Sequence, residues 1–357
     1  MDIPVTKVEP SRAKKKPASA DGLGFGNIFT DHMFLMDYEP EKGWHNPRIE
    51  PYRKLELDPA CMVLHYGQEV FEGLKAYAGR DGGVYLFRYR DNLARLNRSC
   101  ERMVIPPVDV ETVAEGMKRL VLLDREWIPR SHGCSLYIRP NVIAADPFLG
   151  VRPSQTYLFY IICSPVGAYY PEGFNPVSIY VSDKYVRAVR GGVGEAKTAG
   201  NYAASLLAQK EAKEKGFSQV LWLDAIERRY VEEVGTMNIF FRIGDEVITS
   251  PLTGSILPGI TRDSVIKLLG HWGVKVTERR LGIDEVLDAQ QKGTLVEVFG
   301  SGTAAIIAPV GTIHYKGTDY RVADGRTGEL SQKLYDHLLG LQYGEKEDEF
   351  GWVEKIG

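Results

Sequence analysis

The stretch GGVGEAKTAGNYA, residues 191–203, decides how the sequence is interpreted, because it places four glycines around one lysine, Lys197, just before a predicted helix. A helix N-terminus exposes backbone N–H groups and a partial positive charge, which suits an anionic ligand. Two chemistries use a lysine in this setting. It binds the phosphates of a nucleotide, or it forms a Schiff base with an aldehyde cofactor, to which flanking glycines give access.

The nucleotide alternative depends on residues 191–198, which match the pattern GxxxxGK[ST] at every position but one. Ala196 stands where such a loop needs a glycine to bring its backbone onto phosphate, and the preceding KYVRAVR is a poor buried strand. A solvated lysine in a flexible loop is a third interpretation. The loop alone leaves these alternatives open, so the rest of the chain has to decide between them.

The composition is that of an ordinary globular protein of about two domains, with 357 residues, 44% hydrophobic and 25% charged. A formal charge of -3 gives no electrostatic footprint for nucleic acid or an anionic membrane. The four cysteines form no CxxC pair and the seven histidines no HxxxH spacing, so no metal site is predicted. We find neither a membrane span nor a signal peptide, and we expect a cytoplasmic protein.

The chain divides by composition into four segments. Residues 1–20 are rich in Lys, Pro, Ser and Ala and are predicted to be a flexible N-terminal arm. Residues 21–168 mix helix and strand patterns and are predicted to be a small N-terminal α/β domain. The Gly- and Pro-rich residues 169–176 are the predicted interdomain linker, and residues 177–357 the larger C-terminal domain. The expected fold class is therefore mixed α/β with two domains.

Three element predictions bear on the candidate site. A helix is expected from Asp91, with an apolar stripe that leaves Arg95 to one side, ending before Pro106. A single helix is expected from Tyr202 to Lys215, closed by Gly216. The run TAAIIAPV, residues 303–310, is predicted to be a strand.

Seven sequence motifs occur along the chain in this order: GQEVFEGLKAY, FRYRDNLARL, SLYIRP, GGVGEAKTAGNYA, EEVGTMNIFF, LPGITRDSV and FGSGTAA. Together they closely resemble the fold-type IV pyridoxal-phosphate enzymes and, within them, the branched-chain amino acid aminotransferases. The resemblance runs from about Phe25 to Trp352. It implies a cofactor, pyridoxal 5′-phosphate, at the interface of the two domains, the C-terminal one being the cofactor-binding domain, and an enzyme that is at least a homodimer.

The resemblance implies that Lys197 holds the cofactor as a Schiff base and moves the proton between the substrate and the cofactor. Glu233 is implied to face the pyridine nitrogen, and strand alternation predicts that Glu232 points the other way. The remaining cofactor contacts that it implies involve the phosphate, the ring or its hydroxyl: Arg95, Tyr202, Thr236, Ile260, Thr261 and Thr303.

On the substrate side, Tyr137 and Arg139 alternate with apolar neighbours in a strand, so the phenol and the guanidinium are predicted to share a face. The resemblance implies that this pair lies in the active site and that the amides of Thr303 and Ala304 hold the α-carboxylate. It also implies a loop, Leu149 to Val151, that reaches the pocket of the other subunit. The implied aromatic walls are Phe29, Tyr66, Phe71 and Tyr169.

The expected activity is the reversible transfer of an amino group from Leu, Ile or Val to 2-oxoglutarate by a ping-pong cycle. The partners are then small amino acids and 2-oxo acids. D-amino-acid transaminases and aminodeoxychorismate lyases share the lysine and the glutamate and stay as alternatives, with the nucleotide-binding protein as a more distant one.

Overall fold

The structure, a computed structural model, describes residues 2–20, 22–167 and 174–357. The chain forms two compact units. The first comprises residues 1–169, 196–199 and 339–357, and the second comprises residues 170–195 and 200–338. The C-terminal residues 339–357, expected in the second domain, thus belong to the first unit, as do Lys197 and its neighbours.

Seventeen strands lie in the described part of the chain: β1 (His32–Glu39), β2 (Gly43–Pro51), β3 (Glu69–Phe71), β4 (Leu74–Ala78), β5 (Val84–Phe87), β6 (Ser135–Ala144), β7 (Tyr157–Val166), β8 (Val177–Ser182), β9 (Gln219–Leu223), β10 (Val231–Val234), β11 (Met237–Ile243), β12 (Glu246–Thr249), β13 (Lys275–Glu278), β14 (Leu295–Gly302), β15 (Ile306–Tyr315), β16 (Thr318–Arg321) and β17 (Val353–Lys355). The α-helices of the same part are α1 (Met62–Tyr66), α2 (Tyr89–Arg102), α3 (Val110–Leu123), α4 (Ala199–Ala203), α5 (Leu206–Glu214), α6 (Ile260–His271), α7 (Ile283–Gln291) and α8 (Glu329–Gln342). None of these helices is long and apolar enough to cross a membrane.

The first unit is built on an antiparallel sheet with the strand order β17-β5-β4-β6-β7-β1-β2, to which β3 adds by pairing with β6. The last strand explains why the C-terminal residues belong here, since β17 pairs with β5. Helices α2 and α3 bury an apolar face in this unit's core, where Phe34, Leu93 and Met117 are fully buried. The predicted helix after Asp91 is confirmed, with its start at Tyr89.

Part of the N-terminal segment, expected to be a flexible arm, is bonded to the first sheet. The amide of Thr6 donates to Ile49 O (2.9 Å), and the amide of Ile49 donates to Pro4 O (2.9 Å). Ile3 is buried in the same core. Backbone hydrogen bonds and one buried apolar side chain therefore attach residues 3–6 to the first unit, despite the polar composition that follows.

The second unit is built on a mixed sheet in which β10, β9, β8, β15, β14 and β11 form a closed circuit of hydrogen-bonded neighbours. Its pairings are parallel between β8 and β9, between β8 and β15 and between β12 and β13. The sheet carries large apolar side chains, among them Trp222, Phe240 and Phe299, which are fully buried. The mixed α/β class predicted from the sequence is confirmed in both units.

Two predicted elements differ from the observed ones. The helix expected from Tyr202 to Lys215 is divided into α4 and α5, because both the amide and the hydroxyl of Ser205 bind Tyr202 O and form a turn there. The strand expected from residue 303 begins at Ile306, after a turn. Both differences place predicted site residues in turns or short helices rather than in long regular elements.

Helix α3 packs on β1 through a glycine, which gives a test of the packing. A Cβ on Gly116 would lie 2.4 Å from Cε2 of the buried Phe34 ring, whereas a Cβ on the exposed Gly270 in α6 would meet nothing within 4 Å. We expect Gly116→Ala to destabilise the protein by about 1–3 kcal/mol through overpacking. Gly270→Ala should stabilise it by about 0.5–1 kcal/mol, because alanine reduces the freedom of the unfolded chain.

Urea denaturation of the two variants, prepared side by side, measures both changes. The free energy of unfolding should fall in Gly116→Ala and rise in Gly270→Ala. A neutral Gly116→Ala would contradict the close contact between α3 and β1.

Candidate active site

The predicted site residues fall into two groups, one in each unit, while Tyr169 lies outside the described residues. The first unit holds Phe29, Tyr66, Phe71, Arg95, Tyr137, Arg139, Leu149, Val151 and Lys197. The second unit holds Tyr202, Glu233, Thr236, Ile260, Thr261, Thr303 and Ala304.

Helix α2 presents a buried polar row beside its apolar stripe. Asn92, Arg95 and Ser99, spaced at three and four residues along the helix, are each at most 3% exposed. Their spacing puts them on one side of the helix, next to the stripe that contains Leu93 and Leu96. Arg95 thus lies beside the apolar stripe, as predicted, and is buried.

The buried row meets a carboxylate that the sequence analysis did not assign. Arg95 donates from Nε to Glu72 Oε1 (2.7 Å) and from Nη2 to Glu72 Oε2 (2.9 Å). Asn92 also donates to Glu72 Oε2 (2.9 Å). Burial alone would raise the pKa of Glu72, but the charge and hydrogen bonds of Arg95 bring that pKa below its ordinary value. The pair is therefore a charged, bidentate and fully buried ion pair.

Lys197 has a fixed backbone. Its amide donates to Ser99 Oγ (2.9 Å), and its carbonyl accepts from the amide of Phe71 (3.0 Å). The next residue, Thr198, donates from Oγ1 to Glu69 O (2.6 Å). The side chain is half-buried and places Nζ 5.0 Å from the centroid of the Phe71 ring. The amine thus projects from a main chain held by α2 and β3.

The predicted pairing of Tyr137 and Arg139 on one face of a strand is confirmed. Both lie in β6, and Arg139 Nη2 donates to Tyr137 Oη (3.0 Å). The Arg139 guanidinium also covers the Phe71 ring, 4.7 Å from its centroid. A Cβ on Gly73 would come within 2.0 Å of Tyr137 Oη, so this position has no room for a side chain. The arrangement puts a cation and a phenol next to an aromatic wall.

Other predicted pocket residues of this unit are more exposed. Leu149 and Val151, in the loop before β7, are 63% and 86% exposed, and Tyr66 on α1 is 41% exposed. Tyr66 Oη donates to Leu149 O and ties α1 to this loop. Phe29 is half-buried and stacks on Tyr52, with the ring centroids 5.4 Å apart.

In the second unit, Glu233 lies on β10 and is almost fully buried. Its Oε1 accepts from Asn238 Nδ2 (2.9 Å), and its Oε2 pairs with Arg187 Nε (2.6 Å). The Asn238 amide also donates to Leu257 O (2.9 Å), which orients it. A charged partner and an amide thus fix this carboxylate on both oxygens.

The neighbouring Glu232 is also buried but has a different partner, since it accepts from Ser255 Oγ (2.5 Å). The pairing of β10 with β9 shifts between Val231 and Glu233, so Glu232 lies at a bulge. Burial raises the pKa of Glu232, and the Ser255 hydrogen bond opposes that shift. The two glutamates are therefore distinct groups, and neither is on an exposed strand edge.

Helix α6 begins with Ile260 and Thr261, both buried, after Gly259 as its N-cap. Gly259 has no side chain that could cap this helix N-terminus, so the first-turn amides depend on other acceptors. A Cβ on Gly259 would lie 2.0 Å from Asn238 Oδ1, so the same asparagine touches both this turn and Glu233. This arrangement suits an anion.

The remaining predicted cofactor residues lie at turns or in a short helix. Thr303 and Ala304 are half-buried between β14 and β15, and Tyr202 is half-buried in α4. Thr236 is exposed between β10 and β11.

Sequence reasoning missed several buried polar residues. Arg187 was part of a segment judged only as a poor strand, and Glu72 stood unassigned inside the motif VFEGLK. Lys75, in the same motif, is 6% exposed on β4, where burial lowers its pKa to about 8. The one available signal was a charged residue within an otherwise apolar run, which predicts a partner but does not identify it.

The chain is similar to a known protein family, to characterised relatives and to solved structures. Residues 69–313 match the model of the amino-transferase class IV family. The chain is 57% identical over 350 residues, 98% of its length and 96% of the relative's, to branched-chain-amino-acid aminotransferase 2 of Bacillus subtilis (strain 168).

Two solved structures are similar to this chain over nearly its whole length. The branched-chain amino acid aminotransferase of Escherichia coli has a TM-score of 0.77 and 29% identity, covering 92% of this chain and 99% of that one. The branched-chain amino acid aminotransferase of Thermobaculum terrenum, solved in its PLP-form, has a TM-score of 0.74 and 25% identity, covering 91% of this chain and 98% of that one.

Proposed function

Since the chain belongs to the amino-transferase class IV family, we infer that it is a branched-chain-amino-acid aminotransferase. It transfers an amino group reversibly from Leu, Ile or Val to 2-oxoglutarate, giving branched 2-oxo acids and glutamate in a ping-pong cycle. The observation that carries this conclusion is the 57% identity over 98% of the chain to a relative of that name. A half-buried lysine on a fixed backbone and a buried carboxylate supply the groups that this chemistry needs.

The cofactor is pyridoxal 5′-phosphate, and the donor set of the chain fits it. The group supplies an aldehyde that combines with amines and a ring that accepts the electron pair of the substrate's Cα–H bond. An amine, a charge-compensated carboxylate, an arginine and a helix N-terminus match the aldehyde, the ring nitrogen and the phosphate of this molecule. We assign them to Lys197, Glu233, Arg95 and the first turn of α6 with Ile260 and Thr261.

Lys197 has two tasks. Its Nζ would hold the cofactor, and the same amine would move the proton between the substrate Cα and the cofactor. Hydrogen bonds fix its backbone amide and carbonyl, while Nζ lies beside the Phe71 ring. These contacts support a lysine whose backbone is fixed and whose amine lies next to an aromatic ring.

Glu233 would face the ring nitrogen and keep it protonated, so that the ring could take up electrons. Arg187 compensates the buried charge and Asn238 sets the orientation of the carboxylate. Tyr202, Thr236 and Thr303 complete the proposed cofactor contacts, with Tyr202 at the ring hydroxyl and Thr303 at the phosphate.

The substrate residues divide by polarity. Arg139 meets the side-chain carboxylate of glutamate, and its contact with Phe71 leaves the surrounding pocket apolar for Leu, Ile and Val. The amides of Thr303 and Ala304 hold the α-carboxylate that all of these substrates share. The proposed aromatic walls are Phe29, Tyr66, Phe71 and Tyr169.

The enzyme is proposed to work as a homodimer in the cytoplasm. The four cysteines are free thiols, as is usual in a reducing compartment. Leu64, Phe148, Leu149 and Val151 expose apolar side chains on the first unit, and a second copy of the chain would cover them. The loop Leu149 to Val151 is assigned to the substrate pocket of the partner subunit.

Substitution of the lysine tests the proposed chemistry. Lys197→Ala should lower the turnover of leucine with 2-oxoglutarate at least about a thousandfold, because it removes both the tether and the base. Circular dichroism should be unchanged, and Lys210→Ala, an exposed lysine on α5, is the control. In the wild type, borohydride should abolish the visible cofactor band and leave a pyridoxyl group on Lys197 in peptide mass spectra. Label on another lysine would contradict the assignment.

The two adjacent glutamates provide a matched pair. Glu233→Gln should reduce kcat by about a hundredfold, since a neutral amide does not keep the ring nitrogen protonated. Glu232→Gln should reduce it less than about threefold, because the Ser255 hydroxyl can donate to the amide oxygen as it does to the carboxylate. Steady-state kinetics with leucine measures both. Equal losses would show that the two carboxylates do not have separate roles.

Mixing two inactive chains tests the shared pocket. Lys197→Ala and Val151→Arg chains should each be inactive, the second because its charge would enter an apolar pocket. In a heterodimer, one site combines the intact Lys197 of one chain with the intact Val151 of the other. Co-refolded mixtures should therefore regain activity. If confirmed heterodimers remain inactive, each subunit builds its pocket from its own residues alone.

A further inference from the structure

Glu72 stands out as a fully buried carboxylate to which the proposed chemistry gives no role. It follows β3 directly, and its side chain is 0% exposed. Its backbone is fixed, since the Glu72 amide donates to Pro140 O on β6 (2.8 Å). An ionised group in such a place is costly unless its partners compensate it, so the position calls for an explanation.

The partners of Glu72 define the direction of one guanidinium. Nε and Nη2 of Arg95 meet the two carboxylate oxygens at 2.7 and 2.9 Å. This contact uses one edge of a planar group that carries five N–H donors in a rigid fork. Oε2 also accepts from Asn92 Nδ2 (2.9 Å) and from the amide of Gly73 (3.1 Å), so the carboxylate cannot turn. The guanidinium is therefore held in plane as well as in position.

The residues around Glu72 touch the other proposed groups of the first unit. The amide of Phe71, one residue earlier, donates to Lys197 O (3.0 Å). Gly73, one residue later, approaches Tyr137 so closely that a Cβ would lie 2.0 Å from the phenol oxygen. Three consecutive residues thus contact the proposed phosphate ligand, the cofactor-binding lysine and a substrate residue.

We propose that Glu72 is a positioning residue that acts through Arg95, holding one edge of its guanidinium so that the other N–H groups point at the cofactor phosphate. The proposal rests on the proposed function, because it needs Arg95 to bind that phosphate. A flexible arginine side chain has many rotamers, and a bidentate clamp removes that freedom before the phosphate arrives. Glu72 itself touches neither substrate nor cofactor.

The test compares the affinity of the apoenzyme for pyridoxal 5′-phosphate and for pyridoxal, which lacks the phosphate, by absorbance titration. Glu72→Gln has nearly the same shape, but its amide NH2 faces an Arg95 donor and breaks the bidentate contact. We expect the Kd of the phosphate form to rise about tenfold and the Kd of pyridoxal to change less than about twofold. Glu101→Gln, an exposed position on α2, is the control and should change neither value.

A double substitution shows whether Glu72 acts through Arg95. In an Arg95→Met background the phosphate contact is already lost, so adding Glu72→Gln should not raise the Kd of pyridoxal 5′-phosphate further. Glu72→Asp covers the case in which the glutamine variant does not fold, since it keeps the charge but shortens the reach. It should weaken binding of the phosphate form about threefold and leave pyridoxal unchanged.

Three outcomes would overturn the proposal: wild-type affinity in the folded Glu72→Gln variant, equal losses for the two ligands, or a full additional loss in the Arg95→Met background. A wild-type apoenzyme that binds neither ligand would overturn the proposed function as well. These results differ from one another, so the role of Glu72 and the proposed function can be tested separately.

Discussion

A carboxylate can be buried in a protein only beside groups that offset the loss of its hydration, and both units of this chain obey that constraint among the proposed site residues. Glu72 meets Arg95 in the first unit, and Glu233 meets Arg187 in the second. Each pair has an asparagine as a further donor. Ion pairs as well as apolar packing therefore constrain the segments that supply the four charged residues.

At Lys197, the main-chain contacts and the proposed chemistry involve different parts of the residue. Its backbone is bonded to α2 and β3, whereas its side chain is half-buried beside an aromatic ring. Folding of the loop thus depends on main-chain hydrogen bonds that any residue except proline can make. The amine does not have to be fully buried for the loop to fold. The proposed chemical role of Lys197 is therefore compatible with a fixed backbone.

The sequence predicted the fold class, most elements and the shared face of Tyr137 and Arg139, because periodicity and strand alternation are local signals. It did not predict the turn at Ser205, where a hydroxyl competes with the helix for a carbonyl. It also missed the partner of Glu72, which is a neighbour only because a strand end and a helix meet in the folded chain. Residues 339–357 return to the first unit for the same reason, since β17 pairs with β5 and periodicity does not specify register between distant segments.

The bulge at Glu232 shows why two adjacent acidic residues can both be buried. Strict alternation would give them opposite faces, and the extra residue at the bulge gives each its own surroundings. Burial raises the pKa of Glu232, whereas Arg95 lowers that of Glu72. The stabilisation from Glu72 is present above its unfolded pKa and is lost as pH falls through its folded pKa. The burial cost of Glu232 is instead relieved as pH falls through its raised pKa, so acid acts in opposite directions on the two carboxylates.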